Sequence, residues 1–260
     1  MSIASNIPEV GYFITKGELH KYTFTYDSSP LPPREGEDCI TRILSDESFL
    51  SKATNCSDVI STDVVKSMGR ILNMTFAPEN FRDSRRTKVI EEFFKKECLL
   101  LFAIRPTNNG GIYGYPVNPS LLEVATDITT FLYVPKRSPV INEKKALLEE
   151  SEFATWVSDT AMSEIHRLNA FLQGRVYVFT EYAYSLETKG WETVKDIPDV
   201  YLYNPSMAFK FARENISGLD TFLPTILAER HIEDKTVDVL FGQRLFNFES
   251  IDPFGDYLPF

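Results

Sequence analysis

Apolar residues along this chain switch repeatedly between the period-two pattern of half-buried strands and the 3.6 period of helices with one apolar face. Gly11 to Thr15 and Leu19 to Tyr26 alternate around Lys16-Gly17-Glu18, and predict a hairpin with Tyr22, Phe24 and Tyr26 on one face. Asp27 to Asp38, rich in Ser and Pro, reads as a polar loop long enough to be a mobile arm. Helical spacing then returns. Cys39 to Ala53 carries Ile40, Ile43, Leu44, Phe49 and Leu50, and Thr62 to Leu72 carries Val64, Val65, Met68, Ile71 and Leu72 behind Thr62 or Asp63 as cap.

Ser84 to Glu97 puts Val89, Ile90, Phe93 and Phe94 on one helix face, and Cys98 to Ile104 follows as an apolar run of strand length. The sequence Pro106-Thr-Asn-Asn-Gly-Gly111 is the strongest tight-turn signal, with Ile112 to Tyr115 as the returning strand. Ile128 to Val134 reads as another strand, closed by Pro135 and Pro139. Asn142 opens the longest helical pattern, which runs to about Gln173 with a break expected near Ser151 and Gly174 as its stop.

Gly174 to Glu214 holds the densest strand signals, so it is expected at the middle of the sheet. Val176 to Tyr184 is apolar or aromatic on both faces and predicts an interior strand, with Trp191 to Val194 and Val200 to Tyr203 adding a hairpin partner. Asn204-Pro205-Ser206 starts a helix, Asp220 or Thr221 with Pro224 starts another reaching His231, and Thr236 to Phe241 is a last strand. From Gly242 the period is lost while large aromatics persist. The fold class is therefore α+β: a mixed, mostly antiparallel sheet from strands near Tyr22, Leu101, Leu132, Val178 and Tyr201, flanked by helices. One domain is expected over residues 1–241, followed by an extended C-terminal arm over residues 242–260.

Composition sharpens this in two ways. Twenty Phe and twelve Tyr against twelve Gly is an aromatic excess, and aromatics anchor interfaces. A net charge of −10 argues against a nucleic-acid backbone as partner, since phosphate binding needs clustered Lys and Arg. Cys39, Cys56 and Cys98 are widely spaced, as expected of reduced thiols in a cytoplasm rather than a disulfide framework. The start of the chain has no basic segment leading into an apolar run, and the longest apolar run, Cys98 to Ile104, is too short to span a bilayer, so neither secretion nor a membrane partner is expected.

The chain holds no Gly-x-x-x-x-Gly-Lys-Ser/Thr, Gly-x-Gly-x-x-Gly, His-Glu-x-x-His, Cys-x-x-Cys or Gly-x-Ser-x-Gly. His20, His166 and His231 are not spaced for zinc, so no metal or other cofactor is expected. Glu164 and His166, two apart on a helix, point to different faces. Cys98 reads as a core thiol and Glu181 as a satisfied strand residue.

Two candidate sites remain. Asn108, Asn109, Gly110 and Gly111, with Arg105 close by, fit either a plain hairpin turn or an anion nest of converging amides. Phe246, Phe248, Phe254, Tyr257, Leu258 and Phe260, set among acids and prolines, fit either a segment folded back on its own domain or one that docks in a groove. In outline the last ten residues resemble short acidic-aromatic C-terminal peptides that engage sliding clamps, and the arms that lock capsid or connector subunits together.

The expected function is a non-catalytic assembly or protein-interaction protein, such as a viral or phage structural subunit or a viral protein binding a host protein, acting as a homo-oligomer or within a larger complex. The alternative is a small transferase-like enzyme with a cleft at the ends of the Val176 and Val200 strands, lined by Arg175, Glu181, His166 and Tyr203.

Overall fold

In a computed structural model, residues 10–15, 18–34, 39–45, 50, 53, 58–60, 63–74, 83–108, 110–117, 128–185, 187–202, 205–216 and 219–223 are described. They form an α+β fold with two five-stranded sheets, antiparallel except for one short parallel pair. The chain gathers into two compact units, one from Met1–Pro30 with Val176–Phe260 and the other from Leu31–Arg175, where one domain over residues 1–241 had been expected. The strands expected in one sheet are shared out: those of Tyr22, Val178 and Tyr201 in the first unit, those of Leu101 and Leu132 in the second.

In the first unit, β1 (Val10–Thr15) and β2 (Glu18–Tyr26) form the expected hairpin. β2 pairs with β8 (Val176–Ser185), β8 with β9 (Gly190–Tyr201), and β1 with β10 (Leu219–Leu223). β8 is interior, as its two apolar faces required. Two departures concern β9 and β10. The expected hairpin partner from Trp191 to Val194 and from Val200 on is the one continuous strand β9, which ends at Tyr201 and absorbs extra residues in two register shifts against β8. Asp220 and Thr221, expected to open a helix, lie in β10 because that stretch completes the ladder on the outer side of β1.

α5 (Pro205–Asn215) starts at the expected proline, and its Ala208, Ala212 and Phe211 pack on Phe13, Tyr22, Phe24, Tyr177 and Phe179 of the sheet. The alternation in β2 buries Tyr22 and Phe24 but leaves Tyr26 exposed at the strand end. Burial pushes the Tyr22 phenol up to about 12.

In the second unit, β7 (Thr130–Pro135) is buried along its whole length between β3 (Arg42–Ser45) and β5 (Cys98–Pro106). β4 (Val59–Ile60) and β6 (Ile112–Pro116) are the edges. Alternation along β7 sends Phe131 and Tyr133 to α1 (Val64–Ile71) and α2 (Asp83–Glu97), and Leu132 and Val134 to α4 (Glu150–Leu172). The sheet is therefore a middle layer with helices on both faces. Asp63 caps α1 by accepting from the Lys66 N–H at 3.0 Å, as read from the sequence.

Residues 42–45, expected to be helical, form β3 because pairing with β7 and β4 outweighs a spacing that fits either period. The long helix breaks as expected, at Leu148 and Glu149 rather than at Ser151. α3 (Pro139–Leu147) is capped by Ser138 rather than Asn142, Leu148 is extended, and a reciprocal Glu149–Glu152 capping box opens α4.

Gly174 stops α4 at φ +67°, its N–H donating to Phe171 O at 3.0 Å. A Cβ there would meet no atom, so Gly174→Ala is expected to cost only the left-handed backbone, about 1 kcal/mol by chemical denaturation. A loss near zero would show that the helix stop does not depend on glycine. The expected strand over residues 236–241 and the expected arm over residues 242–260 lie outside the described residues.

Candidate interaction surface

The turn between β5 and β6 is built as its sequence required. The Thr107 N–H donates to Gly111 O at 2.8 Å, the Gly110 N–H to Thr107 O at 3.1 Å, and Gly110 takes φ +81°. The Ile112 N–H is held by Asn169 Oδ1 on α4 at 2.8 Å, and Gly111 sits so close to Asn169 and Gln173 that a Cβ would collide with both. An anion nest needs free converging amides; those of Gly110 and Ile112 already donate within the chain. Asn108 is exposed in the turn, and Asn109 lies outside the described residues.

What this turn presents outward is instead a group of rings. Arg105 pairs in register with Tyr113, and Ala103 with Tyr115, which puts Arg105, Tyr113 and Tyr115 on one face of the hairpin. Tyr113 is 63% exposed and stacks on Tyr115 with centroids 6.0 Å apart, and the Arg105 guanidinium lies 5.9 Å from the Tyr115 ring centre. Arg105 is the one charged residue between Cys98 and Val117.

The outer edge of β6 is guarded. Tyr113 and Tyr115 lie in phase with the bonded pairs Thr107–Gly111 and Val117–Leu101, so they turn their amides toward β5, and Ile112, Gly114 and Pro116 face outward. Ile112 is already bonded to Asn169 and Pro116 has no N–H, leaving Gly114 as the one outward residue with an amide to offer a further strand. The backbone of this edge thus has little to offer a further strand.

Three polar or aromatic groupings lie elsewhere. His20 and Glu181 are each 6% exposed, and Nδ1–H of His20 donates to Glu181 Oε1 at 3.0 Å across the β2–β8 pairing. His20 Nε2 is buried with no hydrogen-bond partner, Glu18 Oε2 is 3.7 Å away, and the Phe13 ring lies alongside. A catalytic base has to reach its substrate, and this nitrogen faces protein. The pair joins residues 161 apart, and nothing in the local sequence announces it.

Arg34 is the second grouping, inside the loop expected to be a mobile arm. It is 2% exposed and holds Asp58 with two parallel bonds of 2.9 Å, Thr41 Oγ1 and Thr41 O at 2.8 Å each, and Glu164 Oε2 at 3.5 Å. Glu164 in turn accepts from the Ile40 and Thr41 amides and from the Thr41 hydroxyl. The described part of that loop is therefore anchored, because a buried guanidinium requires its carboxylates.

The third grouping is a roof on the β1–β2 hairpin. Lys21 Nζ sits 4.5 Å from the Trp191 ring and 5.0 Å from Tyr182, while Tyr12, Tyr184 and Trp191 pack over Ile14 and Leu19. Burial lowers the Lys21 pKa.

Of the residues proposed for an enzymatic cleft, Arg175 and His166 belong to the second unit and Glu181 to the first, while Tyr203 lies outside the described residues. Burial lowers the His166 pKa. Cys98 is buried at the start of β5, and desolvation pushes its thiol pKa well up, which Glu97 reinforces. Cys98 should stay unmodified by a thiol reagent at pH 8 while half-buried Cys39 reacts, as peptide mass mapping would show. Equal labelling of the two would contradict the buried placement.

Phe246, Phe248, Phe254, Tyr257, Leu258 and Phe260 lie outside the described residues. Among the described residues no three His, Cys, Asp or Glu side chains are placed to hold a metal, and no helix is long and apolar enough to cross a membrane. Comparison with protein-family models, curated proteins and solved structures found no match to this chain.

Proposed function

We propose that this chain is a non-catalytic assembly protein that binds further copies of itself through the Arg105–Tyr113–Tyr115 surface. The observation that carries the reading is exposed Tyr113 stacked on half-buried Tyr115, with Arg105 against that ring, on a hairpin whose backbone edge has one amide, that of Gly114, to offer a further strand. Tyr and Arg are the residues most enriched where protein interfaces concentrate their energy, and a rigid ring pair loses little conformational entropy on docking. A structural subunit of a viral or phage particle is the setting that the aromatic excess and acidic balance fit best, with the cytoplasm as the place of assembly.

Native mass spectrometry of the full chain over a wide concentration range tests this. Multiples of the chain mass should appear, and Tyr113→Ala should weaken self-association roughly tenfold, the usual scale of an aromatic hot spot. A chain that stays monomeric throughout, or a Tyr113→Ala variant that assembles like the parent, sinks the reading.

A further inference from the structure

We infer that α3 is a self-association face on which two copies of this chain pair antiparallel about a two-fold axis, the basic end of each helix against the acidic end of the other. The contact goes beyond the assembly reading above and uses a different surface, so it is tested without Tyr113.

Little of α3 is used in its own unit. Ile141 is the one buried residue among its nine, and Leu147 is 69% exposed. An exposed helix face alone names no partner; the charges at its two ends do.

The start of α3 is basic. Lys136 and Arg137 stand just before the Ser138 cap, and the β5–β7 ladder brings the end of α2 beside them: the Lys136 N–H donates to Glu97 O at 2.7 Å and the Lys136 ammonium to Lys95 O. Lys95, Lys96, Lys136 and Arg137 are all exposed. Glu92 pairs with Lys96 at 3.3 Å and Glu97 is half-buried, while Lys95 and Arg137 pair with no acid among the described residues.

The far end of α3 is acidic. Glu149, Glu150 and Glu152 are exposed just past Leu148, and no cation pairs with them among the described residues. Lys144 is turned onto the Trp156 ring, 5.9 Å from its centre, and exposed Lys145 is offset by exposed Glu143. Each group also suits the helix end that carries it, lysines at the carbonyl end of α2 and glutamates at the amide end of α4. That accounts for the signs and leaves the outward charges without partners.

Nine residues at about 1.5 Å each make α3 about 13 Å long, more than the screening length of about 8 Å at physiological salt, so the two ends do not cancel each other. A partner has to carry the opposite charges in the opposite order at this spacing. A second copy turned end for end does so by symmetry, and makes the attractive contact twice. Leu147 then lies beside the contact and loses water.

The test uses the full chain carrying Tyr113→Ala, so that only the α3 contact is read, with native mass spectrometry and sedimentation velocity. This chain should form a dimer that weakens as salt is raised. Lys95→Glu with Arg137→Glu, and separately Glu149→Lys with Glu150→Lys, should each weaken the dimer roughly tenfold or more, because an attractive contact is lost at both ends. Mixing the two variants restores one attractive contact per pair, so heterodimers should outnumber both homodimers. That rescue also shows that both variants fold.

A Tyr113→Ala chain that stays monomeric, a charge variant that dimerises like its parent, or a mixture without excess heterodimer overturns the inference. None of these outcomes touches the assembly reading, which is decided by whether the higher multiples of the parent chain depend on Tyr113.

Discussion

Replacing Arg34 by methionine is expected to cost about 3–5 kcal/mol of unfolding free energy, read as a fall in the urea midpoint, because it leaves carboxylates buried without their cation. The Asp58 side chain is fully buried and that of Glu164 is 11% exposed, so neither recovers much hydration when the guanidinium goes. Methionine fills most of the volume, which keeps the loss electrostatic rather than a cavity effect.

Arg34→Lys should recover only a minor part. A single ammonium cannot make the paired bonds to Asp58 while also serving Thr41 Oγ1 and Thr41 O. The site also fixes backbone: the Ile43 N–H donates to Asp58 Oδ1 at 2.7 Å and the Ile40 N–H to Glu164 Oε1 at 2.8 Å. Loss of Arg34 should therefore raise hydrogen exchange at residues 40–43, just where the chain enters β3. A loss under about 1 kcal/mol, the scale of an exposed pair, would mean that the cluster is hydrated and does not lock the loop.

Much of the fold was legible because its signals are local. The cap and stripe of α1, the stripe of α2, the β1–β2 and β5–β6 hairpins and the glycine stop at Gly174 each depend on residues within a few positions. β3 was misread because Ile40, Ile43 and Leu44 satisfy a helical spacing over a window too short to separate the two periods. The division into two sheets was not legible, since it depends on β2 choosing β8 across the whole second unit, a pairing that no local pattern encodes. The candidate surface was half legible. Arg105 and the glycine turn stood out, whereas the Tyr113–Tyr115 stack needed the register of β6 to show that both rings share a face with Arg105.

The His20–Glu181 pair is expected to behave as one unit. His20→Leu should cost about 3 kcal/mol, because the Glu181 carboxylate keeps its burial and loses its donor. Glu181→Leu should cost less, about 1–3 kcal/mol, since it strands a single ring nitrogen rather than a carboxylate. Converting both to leucine removes the polar demand altogether beside Phe13 and Tyr22, so the double variant should be more stable than the sum of the singles by about 1–3 kcal/mol in a double-mutant cycle. Lys195 is the group able to blunt this result. It lies opposite Glu181 in the β8–β9 register, with its Nζ now 3.3 Å from Asn215 O at the end of α5. In His20→Leu, Lys195 can turn from Asn215 to the stranded carboxylate, and adding Lys195→Met to that variant should then expose the full cost. Strict additivity of the His20 and Glu181 losses, with or without Lys195, would mean that the two side chains are neighbours rather than partners, and that the burial of each is supported by something other than the bond between them.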